Sequence, residues 1–402
     1  DYGMALRAVT LGYGDERVNA AAAAQMDNGV NLTRATLVEL LAAETLIDLI
    51  PSVDMVKFAK NGSNVTTAAV KIARAYTGRR YVCVPRQQPF FSFDDWFIGT
   101  TALTRGIPDE HVRNTLVFDY GDHSSLLKLF DAYPGEIAAV MMEPATTLIP
   151  CSHSCGQVQE WPESPCNACP NADGNFLHKV QDLCKRDGAL FILDEMITGF
   201  RWHIAGAQSF FGVTPDLCTF GKGMANGYSV AAVGGRREVM QVGSIDQPGM
   251  QRTFLLSTTH GAEMPGLGAF IETVRIYKEE SVPEQLWAYG KRLKAGLTEV
   301  SVRHGLDKHF VMDGPAISLS YLTLNREGKP SMPLRTLYAQ EMIRHGVLMP
   351  WVAVSQSHGD AELRLTLDAA DKALAVLRRA LDGRVEDFLE GPAIKPVFRS
   401  YN

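Results

Sequence analysis

The sequence predicts an α/β protein in which a mostly parallel, helix-covered sheet forms a large domain and a smaller α+β domain follows it. Two observations support this prediction. Short segments in which every residue is apolar alternate with helical segments, as in parallel sheets whose strands are buried on both faces. After about residue 270 the pattern changes to long helices joined by a few strand-like pieces.

The predicted elements of the large domain follow one another in a regular order. The first helix covers residues 35–50, where leucine and isoleucine recur at helical spacing until Pro51 ends it. A strand at 53–59 runs into a turn at 61–64, and the next helix ends at Gly78. Further strands are predicted at 81–84, 137–142, 189–193, 217–220, 230–233 and 316–324, and further helices at 264–278, 283–304, 334–345 and 369–381.

This pattern divides the 402 residues into three parts. Residues 51–270 form the sheet domain, which carries a cysteine-rich insert at 151–174, and residues 271–402 form the smaller domain. Residues 1–50 are expected to join that smaller domain. A ligand is expected at the carboxyl ends of the parallel strands, where doubly wound sheets bind theirs.

The composition excludes several classes of function. The net charge of −6 and the lack of a Lys- or Arg-rich run argue against nucleic acid as a partner. No apolar stretch approaches the roughly 20 residues that cross a membrane. A content of 46% hydrophobic and 21% charged residues is ordinary for a globular protein. Seven cysteines in so long a chain point to a reducing compartment, the cytoplasm.

Two strand ends carry candidate catalytic residues. One apolar strand ends on Asp194 and Glu195, and a half-desolvated carboxylate there needs a cationic partner. The alternative is that these acids cap the next segment of the chain or form an ion pair with Arg201. A second apolar strand ends on Lys222, whose two glycine neighbours let a bulky planar group approach the backbone. A Schiff-base lysine needs this space, although a solvated lysine in a glycine-rich loop is the alternative.

Together with a glycine-containing turn, these residues match the needs of pyridoxal 5'-phosphate (PLP). This cofactor needs a lysine imine at one edge of its ring and, at the opposite edge, a carboxylate that keeps the ring nitrogen protonated. Its phosphate suits the free N–H groups at a helix N-terminus, which Gly62, Ser63 and Asn64 would offer. Lys222 and Asp194 would provide the other two parts.

Three segments, at 55–79, 193–235 and 255–263, resemble the class III (fold-type I) PLP-dependent aminotransferases, in particular the branch of glutamate-1-semialdehyde aminomutase. The resemblance covers almost the whole chain. It implies that Lys222 forms the internal aldimine and carries the proton of the 1,3-shift. It also implies that Asp194 pairs with the pyridinium nitrogen.

The same resemblance implies the rest of a cofactor site. Met196 matches the residue that packs on one face of the ring, and Glu143 matches a Glu-Pro turn beside the site. Thr258 resembles the threonine that reaches the phosphate from the other subunit, so a homodimer with active sites at its interface is implied. Arg34 lies where relatives place substrate contacts and would bind a carboxylate; a surface arginine is the alternative.

Three departures from the family pattern bear on the function. Relatives carry a Gly-Tyr-His-Gly segment whose aromatic ring stacks on the cofactor, and here Phe90 offers a π-face but no hydroxyl. Asn64 stands where many relatives have an acid. The region after Gly99 lacks the long Gly/Ser-rich gating loop of the aminomutases, which weakens the aminomutase interpretation.

Between Pro150 and residue 176 lies an insert that this family usually lacks. Two close pairs of cysteines in it have a spacing typical of a structural zinc site: Cys151, Cys155, Cys166 and Cys169. Four thiolates would complete a tetrahedral site and leave no position open for catalysis. Free thiols in a surface loop and two disulfides are the alternatives.

These observations predict an aminotransferase that moves an amino group between a donor amine and a small carbonyl substrate. An intramolecular aminomutase of the glutamate-1-semialdehyde type would use the same residues. A third hypothesis is a protein that has lost turnover and binds a partner through the cysteine insert, which only the missing Tyr-His pair favours. Nothing in the sequence names the donor or the acceptor.

Overall fold

The computed structural model describes residues 1–88, 90–151, 174–251, 253 and 259–401, and each structural statement concerns these residues. The chain forms two compact units. The larger unit contains residues 14–283 and 398–402, and the smaller unit contains residues 1–13 and 284–397.

The helices and strands of the described residues are numbered in chain order. The helices are α1 (Met4–Arg7), α2 (Glu16–Met26), α3 (Leu37–Leu49), α4 (Gly62–Thr77), α5 (Asp95–Ile98), α6 (Asp109–Val112), α7 (His123–Ala132), α8 (Phe176–Asp187), α9 (Gly206–Phe211), α10 (Arg237–Met240), α11 (Met264–Glu279), α12 (Val282–Arg303), α13 (Met332–Arg344) and α14 (Asp360–Asp382). The strands are β1 (Met55–Ala59), β2 (Tyr81–Pro85), β3 (Thr115–Phe118), β4 (Ile137–Met142), β5 (Leu190–Asp194), β6 (Leu217–Phe220), β7 (Ala231–Gly235), β8 (Phe310–Asp313) and β9 (Ser320–Thr323). Short 3₁₀ turns cover Lys222–Ala225, Gln241–Gly243, Ala316–Ser318 and Val385–Phe388.

The larger unit is built on a seven-stranded sheet with the strand order β1-β7-β6-β5-β4-β2-β3. β2 pairs in parallel with β3 and β4, β4 pairs in parallel with β5, and β5 pairs in parallel with β6. β7 pairs antiparallel with both β6 and β1 and is therefore the one reversed strand of this sheet. The predicted α/β class with a mostly parallel sheet is confirmed.

A short connection explains why β7 is reversed. β6 ends at Phe220 and β7 begins at Ala231, so residues 221–230 join them. A parallel crossover needs about a dozen residues or more, and the chain turns back instead. The segment that follows β6 therefore stays at the carboxyl edge of the sheet, where the segments after β1, β4 and β5 also lie.

Helix α4 packs against the sheet and begins directly after β1. Asn61 caps it by accepting a hydrogen bond from Asn64 N at 3.1 Å, and Gly78 ends it in the left-handed conformation with a φ of 68°. Burial of one Val or Ile side chain stabilises the fold by roughly 1.5–3 kcal/mol. The buried apolar face of α4 consists of Val65, Ala68, Ala69, Val70, Ile72 and Ala73. This face holds the N-terminus of α4 at the carboxyl edge of the sheet.

The smaller unit contains the antiparallel pair β8–β9 together with α13 and α14. The buried rings of Phe310, Tyr321 and Tyr338 lie with their centroids 4.6–5.6 Å apart. Tyr2 Oη lies 2.6 Å from Tyr289 Oη and 2.9 Å from Thr366 Oγ1. These buried hydrogen bonds tie the first residues of the chain into this unit.

Most predicted elements form within a few residues of their expected bounds, and one needs correction. The predicted helix at 35–50 is α3, and the predicted strand at 137–142 is β4 in full. The strand predicted at 316–324 begins only at Ser320, because β8 provides partners only from that residue onward and Ala316–Ser318 forms a 3₁₀ turn. No prediction covers α2, α7, β3 or β8, which are short or lack a clear apolar period.

The division into units differs from the predicted domains at the N-terminus. Only residues 1–13 group with residues 284–397, whereas residues 14–50 group with the sheet. The physical reason is that α2 and α3 both pack against α11, and α3 also packs against β1. Residues 271–283 belong to the sheet unit for the same reason, because they include the end of α11.

Candidate active site

Three segments at the carboxyl edge of the sheet meet at the side chain of Met196. Met196 N donates a hydrogen bond to Asp194 Oδ1 at 3.0 Å. A Cβ added to Gly62 would lie 3.0 Å from Met196 Sδ, and one added to Gly221 would lie 2.7 Å from it. The end of β5, the start of α4 and the turn after β6 are therefore adjacent, and a Cβ at either glycine would require this sulfur to shift.

Asp194, the last residue of β5, is a buried carboxylate with 2% of its surface exposed. Its Oδ1 accepts hydrogen bonds from Met196 N and, at 3.1 Å, from Thr219 Oγ1. The pKa of Asp194 is raised to about 6, because the effect of burial outweighs that of the positive charge of Lys222 and the two hydrogen bonds, which lower the pKa. Such a carboxylate favours a ligand that brings a cation beside it, because the cation offsets the unfavourable burial of the negative charge.

Lys222 is the first residue of the turn that follows β6, and it has a φ of 40°. This conformation is uncommon for a residue with a side chain, and it persists only where the surroundings hold it. Two hydrogen bonds hold the turn: Met224 N donates to Gly221 O at 2.9 Å, and Tyr277 Oη donates to Gly223 O at 2.5 Å. The positive charge of Lys222 lowers the pKa of Asp194, and the catalytic roles of both residues stay predictions.

The N-terminus of α4 offers backbone N–H groups to an anion. The amides of Gly62 and Ser63 lie in the first helical turn, where no intrahelical acceptor exists, and the helix dipole adds positive potential there. Ser63 Oγ accepts a hydrogen bond from Phe93 N at 3.0 Å, which leaves its hydroxyl proton for another acceptor. Asn64 N donates to the capping side chain of Asn61, so Asn64 would reach a ligand with its side chain only.

The segment that contains Phe90 is tied to α4. Thr66 Oγ1, in the second turn of that helix, donates a hydrogen bond to Phe91 O at 2.8 Å. Phe91 is buried, whereas Phe90 is 47% exposed and meets Phe97 edge-on with the ring centroids 6.2 Å apart. Phe90 thus presents a ring near the N-terminus of α4, and its stacking on the cofactor stays a prediction.

Glu143 directly follows β4 and lies level with Asp194 on the neighbouring strand, because Met142 pairs with Leu193. Gln88 binds both backbone groups of Glu143: Gln88 Nε2 donates to Glu143 O at 2.9 Å, and Glu143 N donates to Gln88 Oε1 at 2.8 Å. Both side chains are buried. The proposed contact of Glu143 with the cofactor stays a prediction.

Glu195, the second acid at the end of β5, has a structural role. Its Oε2 accepts hydrogen bonds from Thr198 Oγ1 at 2.7 Å and from Ala207 N at 2.8 Å, and its Oε1 accepts one from Gln208 N at 3.0 Å. Burial raises the pKa of Glu195, and these donors lower it. Glu195 therefore joins the loop after β5 to the start of α9, as the capping alternative in the sequence analysis anticipated.

Two of the predicted ligand contacts lie outside this cluster or outside the described residues. Arg34 is exposed and lines a cavity of about 230 Å³ with Lys57, Phe58 and Thr259 among others. Its proposed contact with a substrate carboxylate stays a prediction. Thr258 lies outside the described residues.

The predicted zinc site falls almost entirely outside the described residues. Cys155, Cys166 and Cys169 lie in the undescribed range 152–173, whereas Cys151 is described and is buried. Within the described ranges no group of three or more His, Cys, Asp or Glu side chains could hold a metal ion.

Three further residues support the site and were not predicted from the sequence. Thr219 binds Asp194, Tyr277 holds the turn of Lys222, and Gln88 holds the backbone of Glu143. Thr219 had a signal, since it is a hydroxyl residue in an otherwise apolar strand. Gln88 and Tyr277 act through long-range contacts that no local pattern reveals.

Known proteins resemble this chain over most of its length. The family model described as Aminotransferase class-III matches residues 168–309. The 3-aminobutyryl-CoA aminotransferase of Cloacimonas acidaminovorans (strain Evry) is 29% identical over 386 residues, which are 95% of this chain and 86% of that protein. The chain is therefore similar to the class III aminotransferases.

Solved structures agree with this assignment. The FumI protein of Sphingopyxis sp. MTA144, described as its PLP internal aldimine form, superimposes with a TM-score of 0.80 at 27% identity, over 95% of this chain and 85% of that one. An omega-transaminase from Sphaerobacter thermophilus shares the fold, with a TM-score of 0.79 at 24% identity over 94% of this chain and 87% of that one. The fold is that of the fold-type I PLP transaminases.

This aminotransferase is a PLP-dependent enzyme that catalyses transamination. The relatives favour neither the intramolecular aminomutase nor the hypothesis of a protein without turnover, and they do not specifically indicate the aminomutase-like branch. In the described part of the chain, no helix has the length and apolar character that crossing a membrane requires.

The residues of the site fit PLP. Asp194 is a buried carboxylate that a cationic ring nitrogen would stabilise, and the first turn of α4 has N–H groups suited to a phosphate. Lys222 stands on the turn that follows β6. The sulfur of Met196 lies against Gly221, which precedes Lys222, and against Gly62 at the start of α4.

Proposed function

We propose that this aminotransferase transfers an amino group from a donor amine to a small carbonyl acceptor, on PLP held by Lys222 and Asp194. The observation that carries the proposal is the position of Met196. Its amide binds Asp194, while its sulfur lies against Gly62 and Gly221. One residue, through its backbone amide and its sulfur, therefore joins the lysine turn, the carboxylate and the N-terminus of α4.

Each part of the site has a defined task in this proposal. Bound PLP supplies an electron-withdrawing ring that accepts the electron pair released when a proton leaves the substrate. Asp194 keeps a negative charge beside the ring nitrogen, and Gly62 and Ser63 bind the phosphate. Lys222 Nζ holds the cofactor and moves a proton to and from the substrate carbon that bears nitrogen. Met196, Glu143 and Phe90 are proposed to line the cofactor, and Asn64 to contribute its side chain to the phosphate site.

The requirement for two substrates tests this function. A transaminase needs both an amino donor and a carbonyl acceptor, whereas an aminomutase converts a single substrate. We expect no turnover of glutamate-1-semialdehyde when donor and acceptor are both left out. Multiple turnovers under that condition would refute the transaminase proposal and support the aminomutase.

The donor class can be found by a half-reaction screen. Candidate amines are mixed with the PLP-loaded enzyme, and the visible absorbance of the cofactor is followed without an acceptor. Because a relative is named for 3-aminobutyryl-CoA, the screen should compare β-amino acyl compounds with α-amino acids and with amines that lack a carboxylate. Arg34 is the proposed carboxylate contact, so Arg34→Ala should impair only the donors or acceptors that carry a carboxylate.

A homodimer is also proposed, and α3 supports it. Val38, Ala42 and Leu46 of this helix are buried, yet Leu37 is 70% exposed, with Leu40 and Leu41 also exposed. A helix that is apolar on all sides is usually buried on all sides. A second copy of the chain would cover the exposed leucines, and Thr258 is proposed to reach the phosphate of that copy.

We also propose that this enzyme contains a structural zinc ion and is located in the cytoplasm. Cys151, Cys155, Cys166 and Cys169 would bind one zinc ion with four sulfurs. Elemental analysis of the purified enzyme should find one zinc per chain, and Cys166→Ser together with Cys169→Ser should remove it. An enzyme that contains no zinc and has four titratable thiols in this insert would refute the metal site.

A further inference from the structure

Thr219 is placed to act on the cofactor through Asp194. Thr219 lies in β6 and pairs directly with Asp194 of β5, and it is fully buried. Its Oγ1 donates to Asp194 Oδ1 at 3.1 Å, and its backbone O accepts from Glu195 N at 2.9 Å. The backbone contact would survive a change of side chain, so the hydroxyl can be tested separately.

The two hydrogen bonds to Asp194 end on the same oxygen. Met196 N and Thr219 Oγ1 both donate to Oδ1. Two donors at one oxygen fix the rotation of the carboxylate and leave Oδ2 for another partner. They also stabilise the charged form of Asp194, which burial disfavours.

We propose that Thr219 is a positioning residue for PLP: its hydroxyl holds Asp194 charged and oriented, ready for the ring nitrogen. This inference depends on the proposed pairing of Asp194 with that nitrogen. Valine has nearly the same branched shape and also suits a strand. The distinctive contribution of threonine at this fully buried position is therefore its hydroxyl.

Other charges near Asp194 bear on its ionisation. Lys222 lies on the turn after β6 and favours the charged form, whereas Glu195 on the same loop disfavours it. Glu143 follows the neighbouring strand β4. None of these residues changes when Thr219 is replaced, so a comparison of variants isolates the hydroxyl.

The pH dependence of PLP binding gives a readout other than activity. When Asp194 of the apo enzyme is protonated, binding of a protonated ring nitrogen must release that proton. The affinity should then fall as the pH decreases below the pKa of Asp194. Burial raises that pKa to about 6 in the native protein. Loss of one hydrogen bond to a charged group should move the midpoint up by about one pH unit.

The experiment compares Thr219→Val, Thr219→Ser and Thr198→Val. Apo enzyme is titrated with PLP from pH 5 to 8, and the dissociation constant is obtained from protein fluorescence. Thr198→Val is the matched control, because it removes the hydroxyl that binds the neighbouring buried acid, Glu195, at 2.7 Å. We expect Thr219→Val to raise the midpoint by about one pH unit, and therefore to weaken PLP binding about twofold at pH 7 and about tenfold at pH 5. Thr219→Ser should restore both values, and Thr198→Val should leave both at the native values.

Three outcomes would overturn the inference. In the first, Thr219→Val keeps the native midpoint. In the second, folded Thr219→Ser behaves like the valine variant. In the third, Thr198→Val shifts the midpoint equally. Circular dichroism checks that each variant is folded, and if the valine variant is not, Thr219→Ala removes the same hydroxyl and takes its place in all three comparisons.

Asp194→Asn separates this inference from the proposed function. If Asp194→Asn binds PLP with native affinity and native pH dependence, the pairing of Asp194 with the ring nitrogen is wrong. If Asp194→Asn is impaired but Thr219→Val is native, the pairing stands and only the role of Thr219 is wrong.

Discussion

The close contact between Gly221 and Met196 predicts a large effect for a single methyl group. A Cβ at position 221 would lie 2.7 Å from Met196 Sδ, whereas well-packed carbon atoms lie about 3.5–4.0 Å apart. Met196 must therefore move by about 1 Å, and overpacking of this kind costs about 1–3 kcal/mol. Gly221 has a φ of −178°, extended backbone that alanine also adopts, so the effect is steric.

Gly221→Ala is therefore expected to weaken PLP binding by about 5- to 150-fold, since 1.4 kcal/mol is a factor of ten. The displacement reaches the cofactor because Met196 N binds Asp194. PLP titration of the apo enzyme, followed by fluorescence, measures the effect. Gly62→Ala should have a smaller effect, because its Cβ would lie 3.0 Å from the sulfur.

Two controls make this prediction specific. Gly391→Ala places a Cβ in open space and should bind PLP with native affinity. In a Met196→Ala background the sulfur is gone, so Gly221→Ala should add little to the effect of Met196→Ala alone. Native PLP affinity in Gly221→Ala, or equal effects of Gly221→Ala in both backgrounds, would refute the reasoning.

Three further predictions concern the lysine, the carboxylate and the proposed interface. Lys222→Ala should abolish transamination and the visible absorbance of bound PLP while leaving the folded fraction unchanged by circular dichroism; surviving activity would contradict the assignment. The pKa of Asp194 is raised from 3.8 to about 6 in the folded protein, so the folded state binds more protons than the unfolded state between these values. The free energy of unfolding of the apo enzyme should therefore fall by roughly 3 kcal/mol, because of this group, as the pH rises from about 4 to 6. Chemical denaturation measures this free energy, and in Asp194→Asn the decrease that is due to this group should be absent. Leu37→Glu with Leu41→Glu should convert the proposed dimer to a monomer in analytical ultracentrifugation, whereas Glu44→Gln on the same helix should not; a dimer that survives both leucine changes would place the interface elsewhere.

Much of the fold and the centre of the site follow from local patterns. Parallel strands buried on both faces appear as fully apolar runs, and their last residues mark the carboxyl edge of the sheet. Asp194 is the last residue of one such strand, and Lys222 follows the end of the next strand, Phe220, after Gly221 alone, so both positions are readable from the sequence. The strand predicted at 316–324 was too long, because a run of strand-forming residues does not show where its partner strand begins.

The sequence by itself determined the α/β class and the resemblance to PLP-dependent aminotransferases, and it predicted a site at the carboxyl edge of the sheet. Only the tertiary structure decided that Met196 joins three segments, that Glu195 is structural, and that Thr219 binds Asp194. The physical reason is that strand formation depends on residues close together in the chain, whereas these contacts join residues from different loops and strands. Met196, Gly62 and Gly221 meet because separate strands end at one edge of a sheet, and packing rather than any local motif determines which side chains touch there.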